Sequence, residues 1–337
     1  MFIFFKSSLQ RISLFFVFIF SSLNAAEMDQ TLSLFHVKGQ IYVLAGADVN
    51  VTVQIGDEAI VFVDTPAPEY VREMVSLIRE KSMSPIRQVI TTALDPIHVA
   101  GNELIENQGF GGFGDFNRFG GTGTNSFDSV GEDQGVVLAG NTRGVSLLAH
   151  ENVLNRFYLS ENDVESLTLT TTYFTPSFDI YMNDEGIAIY HMPNAHTDGD
   201  SIVFFRISDV ISLGDLLVQG QYPDIDIENG GSVNGFIDAL NFTIQLMIPG
   251  PNAEGGTYVV PGHGRIGDEI DVVEYRNMLV IVRDRIQSQI AQGLSLNQII
   301  NSEPALDYDT EYGSSRGGPS TEEFITSIYQ SLIEEME

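Results

Sequence analysis

Thr92-Ala93-Leu94-Asp95-Pro96-Ile97-His98-Val99-Ala100-Gly101-Asn102 follows the strand-like run Arg87 to Thr91. A strand that delivers polar residues at its C-terminal end holds them on a loop braced by the rigid sheet. Asp95 and His98 are the residues of this loop able to bind a metal or move a proton. Asp95 also has a plainer reading, as a turn residue before Pro96. Outward from this loop lie three further segments with the same design. They are Pro193-Asn194-Ala195-His196-Thr197-Asp198-Gly199-Asp200, Ser212-Leu213-Gly214-Asp215 and Pro261-Gly262-His263-Gly264. Each puts a histidine or an aspartate just beyond an apolar run. Taken alone, each has a structural reading: Asp215 as a loop cap, or Gly262-His263-Gly264 as a turn whose glycines supply positive φ.

Together, in this order, the segments resemble the metal-binding motifs of the metallo-β-lactamase superfamily. That family's loop reads Thr-His-x-His-x-Asp-His-x-Gly-Gly-Asn. Here Ala93 stands at the first histidine, Asp95 at the second and Ile97 at the aspartate, so among the loop's metal-ligand positions His98 alone keeps its family identity. His196 matches the third-motif histidine, Asp215 the aspartate that bridges two metals and His263 the last histidine. The resemblance covers roughly residues 35–265. It implies an α/β fold, the αββα sandwich of two mixed sheets with helices outside.

Carried over residue by residue, one metal position keeps His196 and Asp215, with Asp95 as an added oxygen ligand. The other keeps His98, Asp215 and His263. Hydrolytic zinc sites use about three protein ligands and an open position for water. The resemblance therefore implies one zinc ion, with iron or manganese allowed by the carboxylates. It implies attack on an ester, lactone or amide carbonyl by metal-bound hydroxide. Ile97 cannot take the part of the missing aspartate in orienting water, which leaves Asp95 as the candidate catalytic base. Tyr222, close after Asp215, is a candidate wall of the substrate pocket. Asp198 and Asp200 read as turn and backbone partners, His36 as a strand surface residue, and His150 and His191 as non-ligands. The rival expectation is a catalytically inactive pseudoenzyme that serves as a binding or scaffold protein. β-Lactam hydrolysis suits an exported chain but not the missing ligands.

The rest of the chain sets the context. Its 337 residues, 43% hydrophobic and 18% charged, are those of a globular protein. Lys6 and Arg11, the apolar run Ile12 to Phe20 and the small pair Ala25-Ala26 have the order of a secretory signal. Residues 1–26 are therefore expected to be a cleaved signal peptide, and 27–337 a single domain exported to the periplasm or the extracellular space. The apolar run is too short to span a bilayer comfortably; an uncleaved N-terminal anchor is the alternative reading, and no stable membrane insertion is expected after cleavage. The chain has no cysteine, which closes off disulfides, thiolate ligands and thiol nucleophiles. The net charge is −30, and −32 once Lys6 and Arg11 leave with the signal. Such a field repels nucleic acid and anionic membranes and leaves a small-molecule substrate as the expected partner.

Residues 109–135 form a Gly/Phe-rich insertion in which Phe110, Phe113, Phe116 and Phe119 recur every third residue. It reads either as a flexible surface insertion or as a flap over a hydrophobic substrate. Hairpins are expected around Gly56-Asp57 and Glu185-Gly186. Helices are expected over Glu69 to Lys81, Glu151 to Tyr158, Ser232 to Met247 and Asp271 to Ile290, with a helical C-terminal extension from about residue 268.

Overall fold

The computed structural model describes residues 32–47, 49–108, 136–138, 145–159, 169–248, 255–313 and 317–336. The expected signal peptide and the Gly/Phe-rich insertion both lie outside the described residues.

The first sheet is built from β1 (Ser33–Lys38), β2 (Ile41–Ala45), β3 (Val51–Ile55), β4 (Ile60–Val63), β5 (Ile86–Ile90), β6 (Val136–Leu138), β7 (Ser146–His150) and β8 (Thr171–Tyr173). Its spatial order is β1-β2-β3-β4-β5-β7-β8-β6. The first four strands pair antiparallel, while β4, β5, β7 and β8 run parallel. The second sheet holds β9 (Ser177–Met182), β10 (Glu185–Met192), β11 (Asp200–Phe205), β12 (Val210–Val218) and β13 (Tyr258–His263) in the order β13-β12-β11-β10-β9. Only β12 and β13 are parallel there.

Alternation along the strands sorts the side chains into layers. In β4, Ile60 and Phe62 face outward onto α1 (Pro68–Arg79), where they meet Val71, Met74 and Ile78. Val61 and Val63 face inward and pack with Ile189, Val203 and Phe205 of the second sheet. The outer face of the second sheet is covered by α5 (Val233–Leu246), α6 (Glu269–Ala291) and α9 (Thr321–Glu334), through Phe236, Leu240, Tyr275, Val282, Phe324 and Ile328. Helix, sheet, sheet and helix thus stack as the αββα arrangement expected from the sequence.

The helical C-terminal segment opens with α6, which starts at Glu269. Asp268 caps α6 in a reciprocal box with Asp271, each carboxylate accepting from the other's backbone N–H. α7 (Leu296–Ile300) and α8 (Asp309–Tyr312) follow before α9. No helix among the described residues is long and apolar enough to cross a membrane.

One turn departs from expectation. The β9–β10 hairpin turns at Asn183-Asp184, both left-handed at φ 56° and 58°, and Glu185-Gly186 already belong to β10. Two consecutive positive-φ residues make the tight turn whose twist suits a hairpin. Asn183 fills this position because its amide also clasps the β3–β4 turn, accepting from the Glu58 and Ala59 amides and donating to Gln54. The buried Glu185 carboxylate is satisfied by Gln54, Ser208 and the Ile207 N–H, which ties the two sheets together.

Candidate metal centre

The parallel strands of both sheets end on the same side, and the candidate residues gather there. β4 ends on Asp64, buried and held at φ 62°. Its carboxylate accepts from the Thr92 N–H and hydroxyl, both at 2.8 Å, and lies 3.0 Å from His98 Nδ1. β5 leads into the short helix α2 (Pro96–Val99), whose first free N–H, that of Ile97, donates to the Asp95 side chain at 2.9 Å. This helix carries His98, whose side chain is fully buried, and α3 (Asn102–Gln108) follows it.

β12 brings in Asp215 after Gly214, at φ 52° with a break in the register to β13. A Cβ on Gly214 would sit 2.3 Å from Thr92 Oγ1, so only glycine lets the strand bend against the first loop. β13 ends on His263. The β10–β11 loop supplies His196, whose Nδ1 donates to the Asp224 carbonyl at 2.9 Å. A carbonyl can only accept, so this bond fixes the proton on Nδ1 and leaves Nε2 for the cleft.

Asp215 is the hub. Its Oδ1 lies 3.1 Å from His98 Nε2 and 3.6 Å from His263 Nε2, and its Oδ2 lies 4.0 Å from His196 Nε2. Two three-residue sets result, His98–Asp215–His263 and Asp95–His196–Asp215, each with its ligand atoms within 4.8 Å of one another. The donors are imidazole nitrogens and carboxylate oxygens, which suit zinc and other first-row metals. Asp215 Oδ2 is buried without a hydrogen-bond partner. A buried carboxylate oxygen left unpaired is costly, and a cation between Asp215 and His196 would satisfy it. The residues therefore fit a metal.

The electrostatics follow from the same geometry. Burial would raise the Asp215 carboxyl, but His98, His263 and His196 outweigh it and hold the group well below the usual carboxylate range. Burial would lower His98, but Asp215 and Asp64 on its two nitrogens raise it well above an ordinary histidine. His196 is raised to about 9 against the effect of burial, by Asp200 and Asp215.

Beside this centre opens a cleft of about 190 Å³ walled by Asp95, Arg156, His196, Asp224 and Asp226, with Leu94, Pro96 and Val153 as its apolar lining. α4 (Glu151–Leu159) contributes Arg156, which grips Asp198 through Nε and Nη2 at 3.1 and 2.8 Å.

Neither a protein-family model nor a curated protein matches the chain. Solved structures do. A metallo-β-lactamase from Pontibacter korlensis aligns over 74% of this chain and 99% of its own, at 15% identity and a TM-score of 0.51. The metallo-β-lactamase DIM-1 aligns over 74% of this chain and 96% of its own, at 15% identity and a TM-score of 0.51. A double mutant of the sec-alkyl sulfatase PisA1 aligns over 90% of this chain and 50% of its own, at 13% identity and a TM-score of 0.63. The chain has the metallo-β-lactamase fold. Identities this low speak for the fold and not for a shared reaction.

Within the metallo-β-lactamase fold, the structure brings His98, His196, Asp215, His263 and Asp95 together. Ala93 is buried and Ile97 half-buried at the other two positions of the loop. Tyr222 is a correction. Its ring lies in the core, stacked on Phe324 at 4.3 Å, and its hydroxyl donates to Asp309 Oδ1 at 2.9 Å. It therefore anchors the C-terminal extension instead of walling the cleft. The sequence reading did not name Asp64, Arg156, Asp224 or Asp226. Asp64 had a readable signal, since a charged residue ending an apolar strand run is placed as the residues of the 92–102 loop are.

His150 and His191 lie in neither ligand set. Their rings stack in parallel, centroids 3.5 Å apart, and His191 Nε2 donates to the Asp198 carbonyl at 2.8 Å. Burial and the neighbouring His191 lower His150 to about 4, and burial lowers His191. An unfolded histidine titrates near 6.5. Above that pH the pair is neutral in both states and its contribution is complete. As the pH falls from about 6.5 towards 4, the unfolded chain binds protons first and stability is lost. His150→Phe should flatten this loss. Urea midpoints between pH 7 and pH 4.5 check it, and an unchanged slope in the variant would count against the stack as its source.

Proposed function

We propose that this chain is an exported, metal-dependent hydrolase with a reduced centre, acting on the ester, lactone or amide carbonyl of a small molecule. The observation that carries the reading is the Asp215 carboxylate shared by two three-residue sets, with Oδ1 facing His98 and His263 and the buried, unpaired Oδ2 facing His196. The fold is of a hydrolase type, and the His/Asp cluster suits metal binding. His98, Asp215 and His263 would hold the tighter metal, zinc in the first instance, with iron or manganese admitted by the carboxylates. Asp95, His196 and Asp215 form a weaker, carboxylate-richer set. When bound, the metal supplies a Lewis acid and acidifies water.

The chain's own residues do the rest. Asp64 fixes the His98 ring from behind, and the Asp224 carbonyl fixes His196. Asp95 stands on the cleft wall as the group placed to accept the proton of an attacking water. Leu94, Pro96 and Val153 form the aliphatic part of the cleft wall. The signal-like residues 1–26 support export to the periplasm or the extracellular space. A catalytically inactive binding or scaffold protein is the second reading, favoured by Ala93 and Ile97 in place of family ligands.

Metal content separates the two. After dialysis against trace zinc, elemental analysis should find about one metal per chain. His263→Ala should abolish tight binding, because two remaining protein ligands of that set rarely retain zinc. His150→Ala should leave it unchanged. Two tightly held metals would defeat the reduced-site reading, and none would move the protein to the scaffold reading.

A further inference from the structure

The cleft beside the metal centre carries more carboxylate than the centre itself uses. Asp95 and Asp215 belong to the ligand sets, but Asp224 and Asp226 do not. Asp226 caps a single helical turn, accepting from the Asn229 N–H at 3.1 Å and side-chain amide at 2.6 Å. Asp224 uses its backbone carbonyl for His196 and is exposed at the cleft. The guanidinium in the cleft wall, Arg156, is matched by the Asp198 carboxylate and also donates to the Glu228 carbonyl. With Arg156 held by Asp198, the carboxylates of Asp224 and Asp226 are the ones in the wall that neither ligand set uses.

Leu94, Pro96 and Val153 give the lining an aliphatic side, beside His196, Thr197 and Asn229. The cleft volume of about 190 Å³ is below the roughly 300–1,000 Å³ of pockets that enclose drug-sized ligands. It therefore suits one small group and not a whole large molecule. A group with both a positive charge and an apolar surface matches a cleft of carboxylates and aliphatic side chains.

We propose that this cleft selects substrates bearing a small alkylammonium group and disfavours anionic ones, with Asp224 and Asp226 as the specificity-determining residues. The proposal rests on the reading of the cleft as the substrate site. It sets this chain apart from its sulfatase structural neighbour, since an alkyl sulfate carries the opposite charge.

The test uses the intact zinc-loaded protein with choline, its neutral isostere 3,3-dimethylbutanol, and methyl sulfate, titrated by ligand-observed NMR. Choline should bind about five- to tenfold more tightly than the isostere at low salt, and methyl sulfate more weakly than either. The preference should shrink as ionic strength rises. Asp224→Asn and Asp226→Asn should each reduce it by about half or more, and the remote Asp307→Asn should not. Asparagine at 226 keeps an oxygen acceptor for Asn229, so folding is preserved. Equal binding of choline and the isostere, or a preference untouched in both Asn variants, would overturn the proposal. Parallel assays with acetylcholine and 3,3-dimethylbutyl acetate separate this from the hydrolase reading. Choline preference without turnover of either ester upholds the cleft and sinks the hydrolase. Turnover of the neutral ester without choline preference upholds the hydrolase and sinks the cleft.

Discussion

Asp215→Asn is expected to strip the protein of tightly bound metal and to lower any hydrolytic rate by at least about 100-fold, because a ligand common to both sets is lost. The substitution keeps the size and shape of the side chain. It removes the negative charge that His98, His196 and His263 all face. A neutral amide oxygen is a poor ligand for zinc, and the amide nitrogen is none at all. Each set then falls from three ligands to two, His98 with His263 and Asp95 with His196. The effect on the folded state is separable. His98 Nδ1 still has Asp64 at 3.0 Å, so α2 remains anchored and the variant should fold. His98 loses one of the two carboxylates that raise its pKa, so its titration should move down. Elemental analysis and histidine NMR on the same sample read both effects. Full metal content in a folded Asp215→Asn protein would remove Asp215 from the centre.

Much of this arrangement was legible before the structure. The helical spacing of Met278, Val282, Ile286 and Ile290 encodes which face of α6 meets the core. Short-range periodicity of this kind is written residue by residue. What sequence spacing does not carry is where elements far apart in the chain meet. The bond from His98 to Asp64 spans 34 residues, and that from His98 to Asp215 spans 117. The second was inferred through the resemblance, and the first was missed because Asp64 stands in none of the motifs compared. Tyr222 shows the reverse error. It follows Asp215 closely in sequence, but its ring turns to Phe324, and the extension that supplies this partner lies about a hundred residues downstream. The hairpin shift to Asn183-Asp184 has a local cause with a distant reason. Gly186 is the residue expected to turn, but the Asn183 side chain is needed to bond Gln54 and the Ala59 N–H of the other sheet.

The three departures from the family's loop lead to the other large effect. Replacing Ala93→His, Asp95→His and Ile97→Asp together should raise bound zinc by about one per chain, by ligand count. Residue 93 follows β5, and residues 95 and 97 bracket the start of the helix that carries His98 into the centre. Restored ligands at these positions would join His196 in one set and His263 in the other, with Asp215 between. The change has local costs. Asp95 caps α2 through the Ile97 N–H, and losing such a cap costs about 1 kcal/mol. Ala93 is only 2% exposed, so an imidazole there must displace neighbours or turn into the cleft. Both costs are smaller than the roughly 10 kcal/mol or more with which structural zinc binds a full ligand set. The triple variant should therefore be less stable than the parent without metal and more stable with it. Zinc titration followed by thermal melting reads this crossing directly. Hydrolysis of a generic activated ester or lactone should also rise, though by less than the gain in metal, since a substrate must still be positioned within the cleft. A folded triple variant that binds no more zinc than the parent would mean that residues 93, 95 and 97 do not face the centre. The assignment of this loop as a worn metal-binding motif would then fall with it.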